Sequence, residues 1–269
     1  MAIATSLEND GDGGSIPLPP TDIFLVMTNE EILELYKLQS CNVRKLNQVK
    51  DSLIKDINFY LRKSDDFQVE VKTKLLAILY VAWSEAQFIQ IVYTPSAFSP
   101  SQINEIKKIK NKYGLAEGWK KMVNLALQKV GKWSQNSELP NRRKKLSKII
   151  EDYIESPSVL RNKVAHGQWF HALNTENTAE NIDLTKKLAE LDSVELAKQF
   201  EVHKSLGLII RDLVQSPKKS FHQNYWVHMT RLETYLEKAR DWNIESKKSK
   251  LFLKPINIKD IRKGDSDGE

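Results

Sequence analysis

The chain has 269 residues, 41% of them hydrophobic, so it can bury a core as one large domain or two small ones. Ten glycines and nine prolines are few for this length, and long segments with helical periodicity favour a helical protein. The net charge of +6 is mildly basic, which permits nucleic-acid binding without requiring it.

The composition also limits the compartment and the cofactors. The single cysteine, Cys41, excludes an internal disulfide framework and a cysteine-based zinc site, and suits a reducing cytosol. No uninterrupted apolar run approaches the ~20 residues of a membrane span. The N-terminus is acidic and lacks the apolar segment of a signal peptide. We therefore expect a cytoplasmic protein with no membrane partner, no cofactor and no metal ligands.

The N-terminal part divides into a polar segment and a long helix. Residues 1–22 are rich in Gly, Asp, Ser and Pro and are predicted to be disordered. A helix begins after Thr28, because Glu31 three residues later can complete a capping box, and it continues to about residue 62. We interpret 23–66 as an N-terminal helical arm. It packs either on the rest of the domain, as an ordinary core helix, or on a partner subunit.

A second helix is predicted for about 68–93, and apolar residues occupy most of its circumference. That pattern is typical of the central helix of a bundle. Glu85 lies in this apolar context, where an unpaired carboxylate is costly. Two interpretations stay open for Glu85. It orients a site residue from elsewhere in the chain, or it forms a structural salt bridge or lies at a solvated edge of the helix.

Three further helices are predicted between residues 99 and 155. One begins at Ser99 and Pro100 and ends at Gly114, and the next covers about 115–130. Another follows over about 141–155, and it opens with the densest basic cluster of the sequence: Arg142, Arg143, Lys144 and Lys145. Such clusters bind phosphate backbones, and they also occur as merely solvated helix faces.

The stretch from 157 to 170 carries the most informative combination of side chains. Arg161, Asn162 and His166 place a forked permanent cation, an amide and a titratable imidazole within two helical turns. In a helix, Asn162 lies beneath His166, whereas Arg161 is roughly 140° around from it. One copy therefore does not easily aim both groups at the same phosphate. A two-fold dimer would remedy this by bringing two copies together.

The remaining elements follow from turn and cap residues. Gly167 predicts the end of the short motif helix, and 172–183 reads as a surface loop that could guide or restrict a substrate. Helices are predicted from Asp192 to about residue 215 and over about 218–240, as an antiparallel hairpin that closes the bundle. Residues 243–269 are predicted to form a loosely ordered tail.

The run Arg161-Asn162-Lys163-Val164-Ala165-His166 resembles the signature of the HEPN superfamily, an Arg followed within a few residues by a His. The segment Trp83-Ser84-Glu85 is similar to some bacterial members. The resemblance covers roughly 67–240. It implies an all-α antiparallel helical bundle of HEPN type over 67–242, here with an added long N-terminal helix. It also implies a homodimer with a composite active site and metal-independent RNA cleavage, commonly in toxins and antiviral-defence effectors.

By this resemblance Arg161, Asn162 and His166 are the catalytic residues, and Glu85 supports them. An imidazole can take the proton of a ribose 2′-OH, and a guanidinium can hold the charge that develops on the phosphoryl oxygens. We expect these groups to meet in a basic cleft. RNA contacts are expected from Lys163 and the Arg142–Lys145 cluster. The expected partners are the RNA substrate, a second copy of the chain, and an antitoxin or other defence-system protein.

A second hypothesis requires no chemistry. A His near a helix end often meets free carbonyls and the negative pole of the helix dipole, and Arg161 could simply pair with Glu155. The chain would then be a non-catalytic helical module that binds RNA or a protein partner.

Overall fold

The computed structural model describes residues 27–131 and 138–253, and within these ranges it is built of α-helices. Residues 1–22, and the part of the tail beyond 253, lie outside the described residues. One isolated antiparallel bridge joins Leu173 to Glu180, and no strand forms in the described part of the chain. The all-α prediction is confirmed.

The helices are α1 (Asn29–Lys63), α2 (Asp66–Val92), α3 (Pro100–Tyr113), α4 (Leu115–Gln128), α5 (Glu138–Ile150), α6 (Ser156–Ala165), α7 (Ile182–Ala189), α8 (Ser193–Gln215), α9 (Ser220–Lys238) and α10 (Ile244–Phe252), with a π-helical turn at Glu151–Glu155 between α5 and α6.

Helix α1 begins where the sequence predicts. The Thr28 hydroxyl accepts a hydrogen bond from the backbone N–H of Glu31 (3.2 Å), and the Glu31 carboxylate accepts one from the N–H of Thr28 (2.8 Å). Ser64, in the left-handed conformation (φ 53°), then turns the chain into α2. Ile32 packs with the C-terminal end of α2 and Ile57 with its N-terminal half, so the two helices run antiparallel. Helix α1 thus packs on the body of its own chain.

Helix α2 is the central element, since it contributes to both main hydrophobic clusters and packs against α1, α6 and α8. Within the described ranges it is also the one helix whose length and composition would allow a membrane crossing. However, 56% of its most apolar 18-residue window is buried inside the protein. The core helix of a bundle has the same properties, so these features are weak evidence for a membrane span.

Helices α3 and α4 form the next pair, and their boundaries confirm the predicted ones. Ser99 and Gln102 complete a capping box at the start of α3, and Gly114 (φ 96°) separates it from α4. Helix α4 buries Trp119 completely, against the ring of Phe88 on α2 at 5.6 Å between centroids.

An aromatic cluster around His203 of α8 fills the centre of the bundle. The His203 ring is completely buried and lies against three aromatic rings, those of Tyr80, Trp83 and Trp119. The ring of Phe200 packs in turn on Tyr80 and Trp83. Its Nδ1 lies 3.3 Å from the Tyr80 hydroxyl. Burial lowers the pKa of His203 to about 3, because the core solvates the charged imidazolium poorly.

The C-terminal helices agree with the sequence except at the end. Asp192 caps α8 by accepting from the N–H groups of Val194 (2.6 Å) and Glu195 (2.8 Å), and α8 and α9 form the expected hairpin. The predicted loose tail differs, because 244–252 forms α10. Ile244 and Leu251 are seven residues apart, so they share one face and pack on the cluster between α1 and α2. The many lysines of this segment conceal that face in the sequence.

Candidate active site

The motif lies on α6, and the start of this helix depends on a proline. Pro157 has no N–H to donate to the carbonyl of Tyr153 four residues earlier. The hydroxyl of Tyr80 on α2 donates to that carbonyl instead. The preceding turn is π-helical, with the N–H of Ser156 bonded to the carbonyl of Glu151. The proline thus creates a free acceptor that anchors the motif helix to α2.

The end of α6 places His166 at the C-cap. The N–H of Gly167 donates to the carbonyl of Val164 (3.1 Å), and the N–H of Gln168 donates to the carbonyl of Lys163 (2.9 Å). This pair of bonds is a Schellman motif, which requires the left-handed conformation that Gly167 adopts at φ 79°. The predicted role of Gly167 is confirmed. The helix ends with the His166 side chain at the surface.

A small satellite core holds α6 in place. Its buried members are Val164, Ala172 and Leu188, from α6, the following loop and α7. The indole N–H of Trp169 donates to the carbonyl of Val164 (2.9 Å), and the buried ammonium of Lys74 donates to the carbonyl of Trp169 (2.5 Å). The segment after the motif is therefore tied both to α6 and to α2.

Arg161 and Asn162 line a cavity of about 550 Å³ between α2, α3, α4 and α6. Glu85 also lines this cavity, but no hydrogen bond or ion pair joins it to Arg161 or His166. The charged residues of its wall are Glu85, Lys110, Glu117, Glu155 and Arg161. Three carboxylates and two cations do not make the basic cleft that the sequence analysis expects.

The carboxylates of the wall are largely paired with lysines. Glu85 forms an ion pair with Lys110 of α3 at 2.5 Å, which is the structural salt bridge that the sequence analysis left open as an alternative. Lys120 lies 2.8 Å from Glu117, 3.1 Å from Glu151 and 3.7 Å from Glu155. Burial opposes the charge of Lys120, but its hydrogen bonds to Glu117 and Glu151 outweigh that effect and raise its pKa.

The guanidinium of Arg161 has no carboxylate partner among the described residues, so the suggested pair with Glu155 does not form. The side chain is half-buried, and its Nε is buried without a hydrogen-bond partner in the described part of the chain. A charged group in this condition retains its capacity to bind an anion.

His166 and Asn162 are both exposed, and they do not bond through their side chains. The backbone N–H of His166 donates to the carbonyl of Asn162 (3.0 Å) as part of the helix. Within the described ranges the His166 ring has no hydrogen-bond partner, and His166 is not one of the residues that line the cavity. Arg161 and Asn162 both line the cavity, whereas His166, one helical turn after Asn162 at the helix end, does not.

The ammonium of Lys163 is hydrogen-bonded within the protein. It donates to the carbonyl of Leu173 at 2.5 Å, in the loop that follows the motif. Gln168 holds the same loop by accepting from the N–H of Leu173 (2.8 Å). The loop therefore already takes one hydrogen bond from this ammonium, and the RNA contact expected of Lys163 stays a prediction. Helix α7, which the sequence analysis did not predict, begins where this loop ends.

The basic cluster of α5 divides into buried and exposed members. Arg142 is 6% exposed, forms an ion pair with Glu138, and lies 4.6 Å from the ring centroid of Tyr225 on α9. It is a structural cation, which corrects its assignment to RNA. Lys145 forms an ion pair with Glu233 of α9. Arg143 and Lys144 are exposed.

Sequence reasoning missed three contributors to this region: Tyr80, Lys74 and Lys110. Because Pro157 has no N–H, the carbonyl of Tyr153 needs a hydrogen-bond donor from elsewhere, but the sequence does not indicate which residue provides it. No group of side chains suited to holding a metal ion occurs within the described ranges. Comparisons of the chain with protein-family models, with curated proteins and with solved structures found no match.

Proposed function

We propose that the protein is a metal-independent endoribonuclease of HEPN type that acts as a homodimer. The observation that carries this proposal is the arrangement on α6. An exposed imidazole without a partner among the described residues ends the helix, and an unpaired, half-buried guanidinium precedes it by five residues. These are the two groups that cleavage of RNA by its own 2′-OH needs.

In the proposed step, a ring nitrogen of His166 takes the proton of the 2′-OH. The 2′ oxygen then forms a bond to phosphorus, and Arg161 donates two hydrogen bonds to the phosphoryl oxygens as they gain charge. The bond from phosphorus to the 5′ oxygen breaks, and that oxygen takes a proton from the imidazolium of the second subunit. The products are a 2′,3′-cyclic phosphate and a 5′-hydroxyl. Asn162 is proposed to position a ribose oxygen.

The separation of His166 from the cavity supports a composite site. Within one subunit, Arg161 faces a cavity that does not include His166. An isologous interface would place each α6 against its twin, so that both histidines and both arginines meet around one phosphate. The carboxylates of the cavity repel a nucleic-acid strand, which argues for a phosphate bound near the surface of α6 rather than deep in the cavity.

The cleavage proposal is tested with purified protein and a structured RNA in the presence of EDTA. We expect cutting to continue, with products that carry cyclic-phosphate and 5′-hydroxyl ends. Cutting that stops on chelation and returns with a divalent ion would overturn the metal-independent mechanism. So would 5′-phosphate ends.

The dimer is tested by titrating His166→Ala protein into a constant amount of wild-type protein. If one site needs both subunits, mixed dimers lose function and the cleavage rate falls as the variant is added. A rate that depends only on the wild-type concentration would show that each subunit acts alone.

The biological role is proposed to be that of a toxin or antiviral-defence effector. Expression in a bacterial host should arrest growth, and Arg161→Ala should relieve that arrest at equal protein level. Toxicity that survives this substitution would separate growth arrest from the proposed chemistry.

One observation favours a second function, that of a protein-interaction module. Trp226 and Val227 on α9 are 52% and 55% exposed, and neighbouring residues make a largely apolar surface. Exposed apolar surface of this kind can mark a protein contact. In that case RNA would stay uncut, and Trp226→Ser, rather than His166→Ala, would abolish the binding of the partner.

A further inference from the structure

A separate cavity of about 340 Å³ lies between α1, α8, α9 and α10. No residue of α6 is among those that line it, so it is distinct from the candidate active site. Its volume falls in the range of small-molecule sites. Its lining includes Asn58, Ala197, Tyr235, Trp242, Lys247 and Lys250.

The wall contains one polar group that no described residue satisfies. The Oδ1 of Asn58 on α1 is buried and lacks a hydrogen-bond partner in the described part of the chain. A buried acceptor is costly when it is left without a donor. Because Asn58 lines the cavity, a rotation of its side chain would bring the Oδ1 within reach of an occupant that carries an N–H group.

Two lysines of α10 give the same cavity a positive side. Neither Lys247 nor Lys250 forms an ion pair with a described carboxylate, and the Lys247 ammonium has only a long contact of 3.5 Å to the Ser193 hydroxyl. Burial lowers the pKa of Lys247, although the charge of Asp192 opposes this. A negative group in the cavity would therefore stabilise the charged form of Lys247.

The aromatic residues provide a surface for a flat ligand. Tyr235 and Trp242 meet edge to face at 5.9 Å between ring centroids, and Trp242 remains 41% exposed. The Lys250 ammonium lies 5.7 Å from the Trp242 ring. A planar ring can stack on an indole of this kind, and a cation beside it favours an acidic substituent.

We propose that this cavity binds a small molecule with a planar ring, an N–H donor and one acidic group. The ring lies against Trp242, the N–H donates to Asn58, and the acidic group binds Lys247 and Lys250. Nucleoside monophosphates and aromatic carboxylates both have this chemistry. The proposal does not depend on the ribonuclease activity.

The test is calorimetric titration of the full chain with GMP, UMP, indole-3-acetate and inorganic phosphate. We expect at least one ring-bearing probe to bind with a Kd below about 1 mM, and phosphate alone to bind at least about tenfold more weakly. Preference for the nucleotides identifies a phosphate ligand, and preference for indole-3-acetate identifies a carboxylate.

Variants assign the binding to this cavity. Lys247→Met should weaken binding by about tenfold or more, because it removes the charge and keeps the volume. Lys248→Met is the matched control, since Lys248 neighbours it on α10 without lining the cavity, and it should bind like wild type. Ala197→Phe fills the cavity and should abolish binding. Asn58→Leu provides an independent variant should Ala197→Phe fail to fold, as judged by circular dichroism.

Two results would overturn the proposal. One is that no ring-bearing probe binds at concentrations of about 5 mM. The other is that Lys247→Met and Asn58→Leu bind the probes as tightly as wild type while remaining folded.

Discussion

Two histidines of this bundle lie in opposite environments. His203 is completely buried among aromatic rings at the centre, where burial keeps it neutral. His166 is exposed at the end of a short helix, where no described residue bonds its ring. The same side chain is therefore a packing element in one region and a group open to solvent and ligand in the other.

The support of the two regions differs as well. Large rings from α2 and α4 surround His203. The segment that carries His166 rests on a small satellite core and on hydrogen bonds from Lys163, Trp169 and Lys74. Changes at His166 should therefore affect function and spare stability, whereas changes at His203 should affect stability first.

The largest expected effect is on catalysis, at His166. His166→Ala should lower the rate of RNA cleavage by about 10²- to 10⁴-fold, because it removes the proposed acid–base group. The free energy of unfolding should change by less than about 0.5 kcal/mol, because the side chain is exposed. Initial cleavage rates and denaturant unfolding measure the two quantities.

The matched control is His171→Ala, an exposed histidine that pairs with Glu180 outside the motif. It should retain the cleavage rate. Full activity in His166→Ala, or an equal loss in both variants, would contradict the role assigned to His166.

The next effect is on stability, through His203. Its pKa is about 6.5 when unfolded and about 3 when folded, so the unfolded state binds the proton more readily. This contribution to stability is complete above pH 6.5 and is lost progressively as the pH falls toward 3. At pH 5 the loss from this group is about 2 kcal/mol.

Denaturant unfolding at pH 7 and pH 5 measures this loss, and His203→Phe provides the comparison. The variant has no group to protonate at this position, so its stability should fall less between the two pH values. An identical decrease in both proteins would assign the acid sensitivity to other residues.

A smaller effect is expected at Gly167, which ends the motif helix. Gly167→Ala should lower the free energy of unfolding by about 1 kcal/mol, because the left-handed conformation at φ 79° disfavours a side chain. The added Cβ meets no atom within 4 Å, so the cost comes from the backbone alone. Thermal unfolding checks the value. Gly167→Asn should cost less, and a larger loss for Asn than for Ala would contradict the backbone explanation.

The smallest effect concerns the basic cluster of α5. Lys144→Met should weaken RNA binding slightly and reduce the magnitude of the salt-dependence slope by about 1, if this exposed lysine contacts one phosphate. Fluorescence anisotropy with a His166→Ala background measures binding without cleavage. Arg142→Met should instead lower stability, because Arg142 is buried beside Tyr225. An unchanged slope for Lys144→Met would remove this residue from the RNA surface.

Helix starts were predictable from the sequence because caps are local. Thr28, Ser99 and Asp192 each bond backbone groups within three residues, and all three begin helices as predicted. Helix α10 was not predicted, because its sequence is dominated by lysines and has only a narrow apolar face. That face is recognisable only in the folded protein, where it packs against residues of α1.

The candidate site was only partly predictable. Arg161, Asn162 and His166 can be selected as candidate residues from residue type and spacing, but their different surroundings cannot be predicted in this way. Arg142 and Lys144 belong to the same basic cluster of the sequence, where nothing distinguishes their roles. In the structure Arg142 is buried against aromatic rings and Lys144 is exposed. Their difference follows from which face of α5 packs on α9.

The sequence by itself determined the helical class, most helix boundaries and the end of the motif helix at Gly167, because these depend on periodicity and on bonds between near neighbours. Only the tertiary structure decided that Glu85 pairs with Lys110 and that Lys163 donates to the carbonyl of Leu173. The same holds for the hydrogen bond from the Tyr80 hydroxyl to the carbonyl of Tyr153, which Pro157 cannot bond. Such contacts depend on how the helices pack, and packing sums many weak apolar contacts along the whole chain.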